Sequence, residues 1–135
     1  KIDHDKGLLG HSDADVLLHA IIESIIGALG LGDIGKHFPD TDPKYKGISS
    51  MVLLQHTYEF MEQEGYEIGN IDSIIMCEEP KMAPYIITMR ENVARVLHCD
   101  ITQVNIKATR GEKLGFVGRK EGIVSQSVVL LNKKG

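Results

Sequence analysis

The chain has 135 residues, 42% hydrophobic and 25% charged, with a net charge of -4 and a pI near 5.8. That size suits one domain with a real core, and the acidic balance argues against a broad nucleic-acid-binding face. With no Trp and 5% aromatics there is little for a base-stacking platform, and two isolated cysteines, Cys77 and Cys99, make neither a disulfide framework nor a thiolate zinc site.

A reducing compartment is the default for so few cysteines. The most apolar run, from Val16 to Leu31, is broken by His19, Glu23, Gly27 and Gly30, so no stretch reads as a membrane span. A signal-peptide pattern is not seen. The chain starts at Lys1 without Met, and we expect further sequence upstream.

In chain order, Ser12 followed three residues later by Asp15 has the pattern of a capping box. It predicts a helix from about Asp13 to Leu29, stopped by Gly30 and Gly32. Apolar residues cover most of this helix, which predicts burial on more than one side. Lys36 to Gly47 reads as a loop, with turns fixed by Pro39 and Pro43. A second helix is predicted from Ser49 or Ser50 to Glu64, with Gly65 as its C-cap and an inner stripe of Met51, Leu54, Thr57, Tyr58 and Met61.

Ile71 to Cys77 is a nearly continuous apolar run, which predicts a strand buried on both faces. Glu78 to Met82 is a loop, and Pro84 opens a third helix to about Leu97. Val104 to Ala108 reads as a short strand, Thr109 to Gly122 as a long glycine-rich basic loop, and Ile123 to Leu131 as the last strand. The order predicts one α/β or α+β domain over residues 1–135. The strands are few for a closed sheet. Either a strand lies upstream or subunits complete one another's sheets, and we expect both.

The densest chemistry lies in KGLLGHSDADVLLHA and GDIGKHFPDTDP, at the two ends of the first apolar helix. Asp15 stands four residues before His19, a spacing at which the side chains can meet on a helix. A carboxylate holding an imidazole is a common arrangement behind a metal-bound His. The alternative is a core histidine satisfied by its helix neighbour. His11 and Ser12 flank the predicted helix start, where free amides and the dipole favour a phosphate; simple capping is the alternative. Asp33, Asp40 and Asp42 suit sugar hydroxyls or a divalent cation, or form an exposed acidic turn. In TRGEKLGFVGR, Glu112 is a lone carboxylate among Arg110, Lys113, Arg119 and Lys120. That suits a diphosphate with a bridging cation, or a solvated basic loop.

These segments, with GYEIGNIDSIIMCEEPKMAPYI and VNIKATRGEKLGFVGRKEGI, closely resemble one family: the 2-C-methyl-D-erythritol 2,4-cyclodiphosphate synthases of the non-mevalonate isoprenoid pathway. They occur in order and span nearly the whole chain. The resemblance implies a mixed sheet with helices packed on one face, in a homotrimer whose sheets face the trimer axis and whose active sites lie between subunits. It implies a phosphorus–oxygen lyase that closes a cyclic diphosphate and releases CMP. Its small-molecule partner would be the cytidine diphosphate substrate, with no nucleic acid and no membrane. Bacterial cytoplasm and a plastid-type organelle both fit.

Carried over residue by residue, His19 looks like the helix-borne zinc ligand. His11 and Ser12 look like substrate-phosphate contacts, with His11 also stabilising the transition state. Asp33, Ile34 and Gly35 look like the segment that meets the ribose, and Phe38, Pro39, Asp40, Thr41 and Asp42 like the loop beside the methylerythritol. Cys77, Glu78, Glu79, Pro80, Lys81, Met82 and Ala83 match the cytosine loop. Thr109, Arg110, Gly111 and Glu112 match a second phosphate loop, with Arg110 and Glu112 in catalytic positions and Glu112 placed to hold magnesium or manganese. Phe116 and Arg119 match further substrate contacts.

There are two departures from the family pattern. The family's zinc site also uses an Asp-x-His pair on an N-terminal strand that is missing from residues 1–135; Asp3, His4 and Asp5 resemble it in composition but lie too close to His11. Arg110 stands where the family usually has a Thr, offering a stronger anion clamp or pointing outward.

Overall fold

A computed structural model describes residues 4–39, 42, 49–76, 83–109 and 123–135, and of residues 4–13 the backbone alone. The chain begins with helix α1 (His4–Ala28). The helix is therefore already under way at Ser12, and the capping box predicted there does not form. The amides that a cap would have satisfied bond instead to carbonyls of the preceding turn. Leu17, Leu18, Ile21, Ile22, Ile25 and Ile26 are buried, in pairs spaced four apart. Two pairs of flanks need two partners, and α1 lies against both the sheet and helix α3 (Ser50–Gln63). Burial on more than one side is thus borne out. Each such side chain stabilises the fold by about 1.5–3 kcal/mol relative to exposure.

The end of α1 is a Schellman turn. Leu31 N donates to Ile26 O (3.0 Å) and Gly30 N to Gly27 O (3.0 Å), with Gly30 in the left-handed region at φ +71°. A single helical turn follows, α2 (Ile34–His37), which overlaps the first two residues of what the sequence reads as loop. Helix α3 starts as predicted: the Ser49 hydroxyl accepts from Val52 N at 3.2 Å. It stops at Gly65, whose φ is +83°. Leu54, Thr57 and Met61 of its predicted stripe are fully buried, and Leu53 joins them.

Strand β1 (Tyr66–Met76) is longer than its apolar core, because Glu67, Gly69 and Asn70 disguise its first half. It is central in a three-stranded sheet of order β2-β1-β3, parallel to β2 (Val104–Thr109) and antiparallel to β3 (Val124–Lys133). Register shifts between Ile68 and Asn70. At this irregularity a Cβ on Gly69 would stand 2.9 Å from Leu130 O, so glycine is required by close approach. The Gln103 amide donates to both Ile68 O (3.0 Å) and Gly69 O (3.1 Å).

A 3-10 turn (Ala83–Tyr85) leads into helix α4 (Ile86–Val96), which connects β1 to its parallel neighbour β2. Arg90 fastens α4 to the entry of β2, donating to Val104 O (2.6 Å) and Ile101 O (3.0 Å).

The strand expected to be buried on both faces is buried on one. Ile71, Ser73 and Ile75 are covered, Asp72 is exposed and Ile74 half-buried. The continuous apolar run arises because Ile74 and Met76 lie among side chains of the open face, beside Gln126 and Val124. Under the helices, the hydroxyls of Ser24, Ser127 and Ser73 form a chain with spacings of 3.4 and 3.0 Å. Among the described residues, the buried Ser125 hydroxyl has no hydrogen-bond partner.

Candidate active site

Asp15, His19 and Glu23 share the exposed stripe of α1 that remains once the paired apolar flanks are buried. Their spacing of four puts them on one face. Among the described residues, no hydrogen bond joins Asp15 to His19, and no three His, Cys, Asp or Glu side chains are grouped to hold a metal. A zinc ion needs about four ligands, so the described residues alone do not make its site. Cys99 is no substitute: burial, helped by the Asp100 charge, pushes its thiol up to about 11.

Asp15 also borders an open groove of about 290 Å³ between α1, the start of α3 and α4. Its floor is Leu17, Leu18, Met89 and Val93; its rim carries Ser49, Tyr85, Thr88 and Asn92. An apolar floor with a few polar rim groups is the usual form of a small-molecule cleft. The sequence reading missed Tyr85, Thr88 and Asn92. A signal was present, since residues 85, 88, 89 and 92 follow helical spacing on one face.

At the other end of α1, the Asp33 carboxylate accepts from Lys36 N at 2.9 Å and caps α2. Ile34 and Gly35 lie within that turn. Phe38 is buried and stacks on Phe60 of α3, with ring centroids 5.8 Å apart. Asp42 N donates to Pro39 O at 3.1 Å. The segment from Asp33 to Pro39 is therefore a built turn rather than a loose loop.

Helix α1 separates the two polar segments that the sequence brackets around it. From His11 to its end at Ala28 the helix extends roughly 25 Å at its standard rise. Within one chain, the helical rod therefore holds His11, about two turns into α1, far from Asp33 beyond its C-terminal end. His11 and Ser12 are on the α1 backbone, their side chains outside the description. Ala83 opens the turn before α4 and Thr109 ends β2, both exposed. Asp40, Thr41, residues 77–82, Arg110, Gly111, Glu112, Phe116 and Arg119 lie outside the described residues.

A family model described as the YgbB family matches residues 1–132. The chain belongs to this family. A 2-C-methyl-D-erythritol 2,4-cyclodiphosphate synthase of Clostridioides difficile is 65% identical over 131 residues, 97% of this chain and 81% of the relative. The bifunctional IspDF of Campylobacter jejuni superimposes with a TM-score of 0.83 at 45% identity, over 87% of this chain and 32% of that one. IspF of Plasmodium falciparum, solved as a CDP complex, gives 0.78 at 32% identity, over 89% and 72%. The mixed sheet with its helices is thus the YgbB family's fold. Among the described residues, no helix is long and apolar enough to cross a membrane.

Proposed function

We propose that this chain converts 4-diphosphocytidyl-2-C-methyl-D-erythritol 2-phosphate to 2-C-methyl-D-erythritol 2,4-cyclodiphosphate, as a lyase of isoprenoid precursor biosynthesis. The observation that carries this is the 65% identity to the Clostridioides difficile synthase along nearly the whole chain. An oxygen of the 2-phosphate attacks the β-phosphorus. The bond from that phosphorus to the bridging oxygen breaks, and CMP leaves with the oxygen. No covalent bond to the protein forms, so the protein's work is alignment and charge neutralisation.

His11 and Ser12 hold phosphate oxygens, Asp33, Ile34 and Gly35 the ribose, Phe38 to Asp42 the methylerythritol and Cys77 to Ala83 the cytosine. Thr109 to Glu112 form the second phosphate loop, with Phe116 and Arg119 as further contacts. His19 is the zinc ligand of this reading and Glu112 the ligand for magnesium or manganese, each needing partners beyond the described residues. The length of α1 between His11 and Asp33 supports sites shared between copies of the chain, in a homotrimer with the open sheet faces inward. The bacterial origin of the Clostridioides difficile relative supports a bacterial cytoplasmic setting.

The test is incubation of the intact protein with the diphosphocytidyl substrate, following products by phosphorus NMR. Equal amounts of CMP and a cyclic diphosphate are expected. Free phosphate, or CMP binding without turnover, would overturn the reading. His19→Ala is expected to remove bound zinc with the assembly intact; unchanged zinc content would remove His19 from the metal site.

A further inference from the structure

We infer that His37 is a positioning residue for the Asp33–Phe38 turn, tying it to the Leu31 carbonyl in the segment that follows α1; this rests on the proposed function in treating that turn as the ribose side of the site. His37 Nε2 lies 2.5 Å from Leu31 O. A carbonyl oxygen only accepts, so Nε2 carries the hydrogen and donates it. The same nitrogen is protonated in the neutral form with this tautomer and in the imidazolium, so the tie survives either charge state.

The joint that this bond spans needs a tie. Leu31 lies between Gly30 at φ +71° and Gly32 at φ +96°, two residues of the type with the widest backbone freedom. Other contacts also hold the turn: Ile34 packs against the core and the Lys36 side chain lies over Gly32. The Asp33 cap is internal to the turn, bonding Lys36 N. Phe38 anchors the far side, stacked on Phe60. The His37 ring also packs on Phe60, with centroids 5.2 Å apart. His37 and Phe38 together grip one ring of α3, and the His37 hydrogen bond adds a directional link from the turn, across Gly32, to the Leu31 carbonyl. Gly30 is held by the Schellman bonds, so loss of the His37 bond would leave the turn seated on α3 yet freer to pivot at Gly32. Asp33, Ile34 and Gly35 would then meet a ribose less well, while the phosphates reacting elsewhere would be unaffected. The expected signature is weaker ground-state binding with an unchanged chemical step.

Two variants separate the donor from the ring. His37→Phe keeps the packing on Phe60 and removes the N–H; His37→Gln restores a donor of similar reach. In the intact protein, His37→Phe is expected to weaken CDP binding and raise KM by about five- to tenfold, the scale of one lost hydrogen bond. We expect kcat within about twofold of the parent, and His37→Gln to recover both constants to that margin. Amide exchange at Lys36 and Phe38 is expected to quicken in His37→Phe and recover in His37→Gln. Parental CDP affinity in His37→Phe, or a Gln variant as weak as the Phe variant, would overturn the inference. A parent that neither binds CDP nor releases CMP would overturn the proposed function instead. The exchange comparison then decides the tie by itself, and unchanged rates would refute it.

Discussion

The two faces of β1 are unlike. On one, Ile71, Ser73 and Ile75 are at most 1% exposed beneath the helices. On the other, Asp72 is in the open with Asn105 and Lys107, and β3 adds Val128 at 73% and Leu130 at 59% exposure. The chain closes the first face with its own helices. The second carries large aliphatic side chains that nothing among the described residues covers. The contrast separates what holds the monomer from what is left for the proposed assembly, and it can be broken by substitution on each side.

The largest effect is expected from Leu130→Asp. In the proposed assembly a carboxylate there would be buried between facing sheets, at high cost. Sedimentation should show monomers with a native circular dichroism spectrum, and CMP release should vanish. A variant of parental size would break the comparison. Ile75→Ala, on the covered face, should leave the assembly unchanged but lower stability by about 2–5 kcal/mol in denaturant melts, from a cavity under α1. A smaller loss, about 1–2 kcal/mol, is expected for Gln103→Ala, which strips the donor from the Ile68 and Gly69 carbonyls.

The smallest effect concerns Asp72. Hydrogen bonds from Asn105 and then from Lys107 hold its carboxyl below the usual range. A folded value below the unfolded one means this contribution is present above the ordinary carboxylate range and fades as pH falls through the folded value. In a carboxyl NMR titration, Asn105→Ala and Lys107→Ala should each move Asp72 back upward. No movement in either would remove the polar bridge from the open face.

Local chemistry made much of this legible. Ser49 and Gly65 bracket α3 because a hydroxyl and a left-handed glycine are each sufficient to end a helix. The first half of β1 was hidden because its bulge needs Gly69, a residue that reads as a break. The capping motif at Ser12 misled because backbone carbonyls of residues further upstream satisfied the same amides. The open face of the sheet was misread because Ile74 and Met76 extend an apolar run that an isolated strand cannot assign to an inside or an outside. Of the candidate site residues, Asp33 and Phe38 were singled out by motif, and the structure gives the one a helix to cap and the other a ring to stack on. Tyr85, Thr88 and Asn92 were overlooked because their chemistry is ordinary and only their shared helix face marks them.

The hydroxyl chain from Ser24 through Ser127 to Ser73 sets the heading of α1. A smooth aliphatic rod on a smooth aliphatic sheet has many nearly equal ways to lie, since a roll of one residue exchanges one isoleucine for another. The hydroxyl chain makes one of those rolls distinct: Ser24 keeps its bond to Ile21 O in any of them, but only this one brings it to Ser127 and, through it, to buried Ser73. The heading that suits Ser24 also sends His19 outward, on the stripe with Asp15 and Glu23. Small polar atoms in the interior therefore work as a compass for an imidazole on the rim.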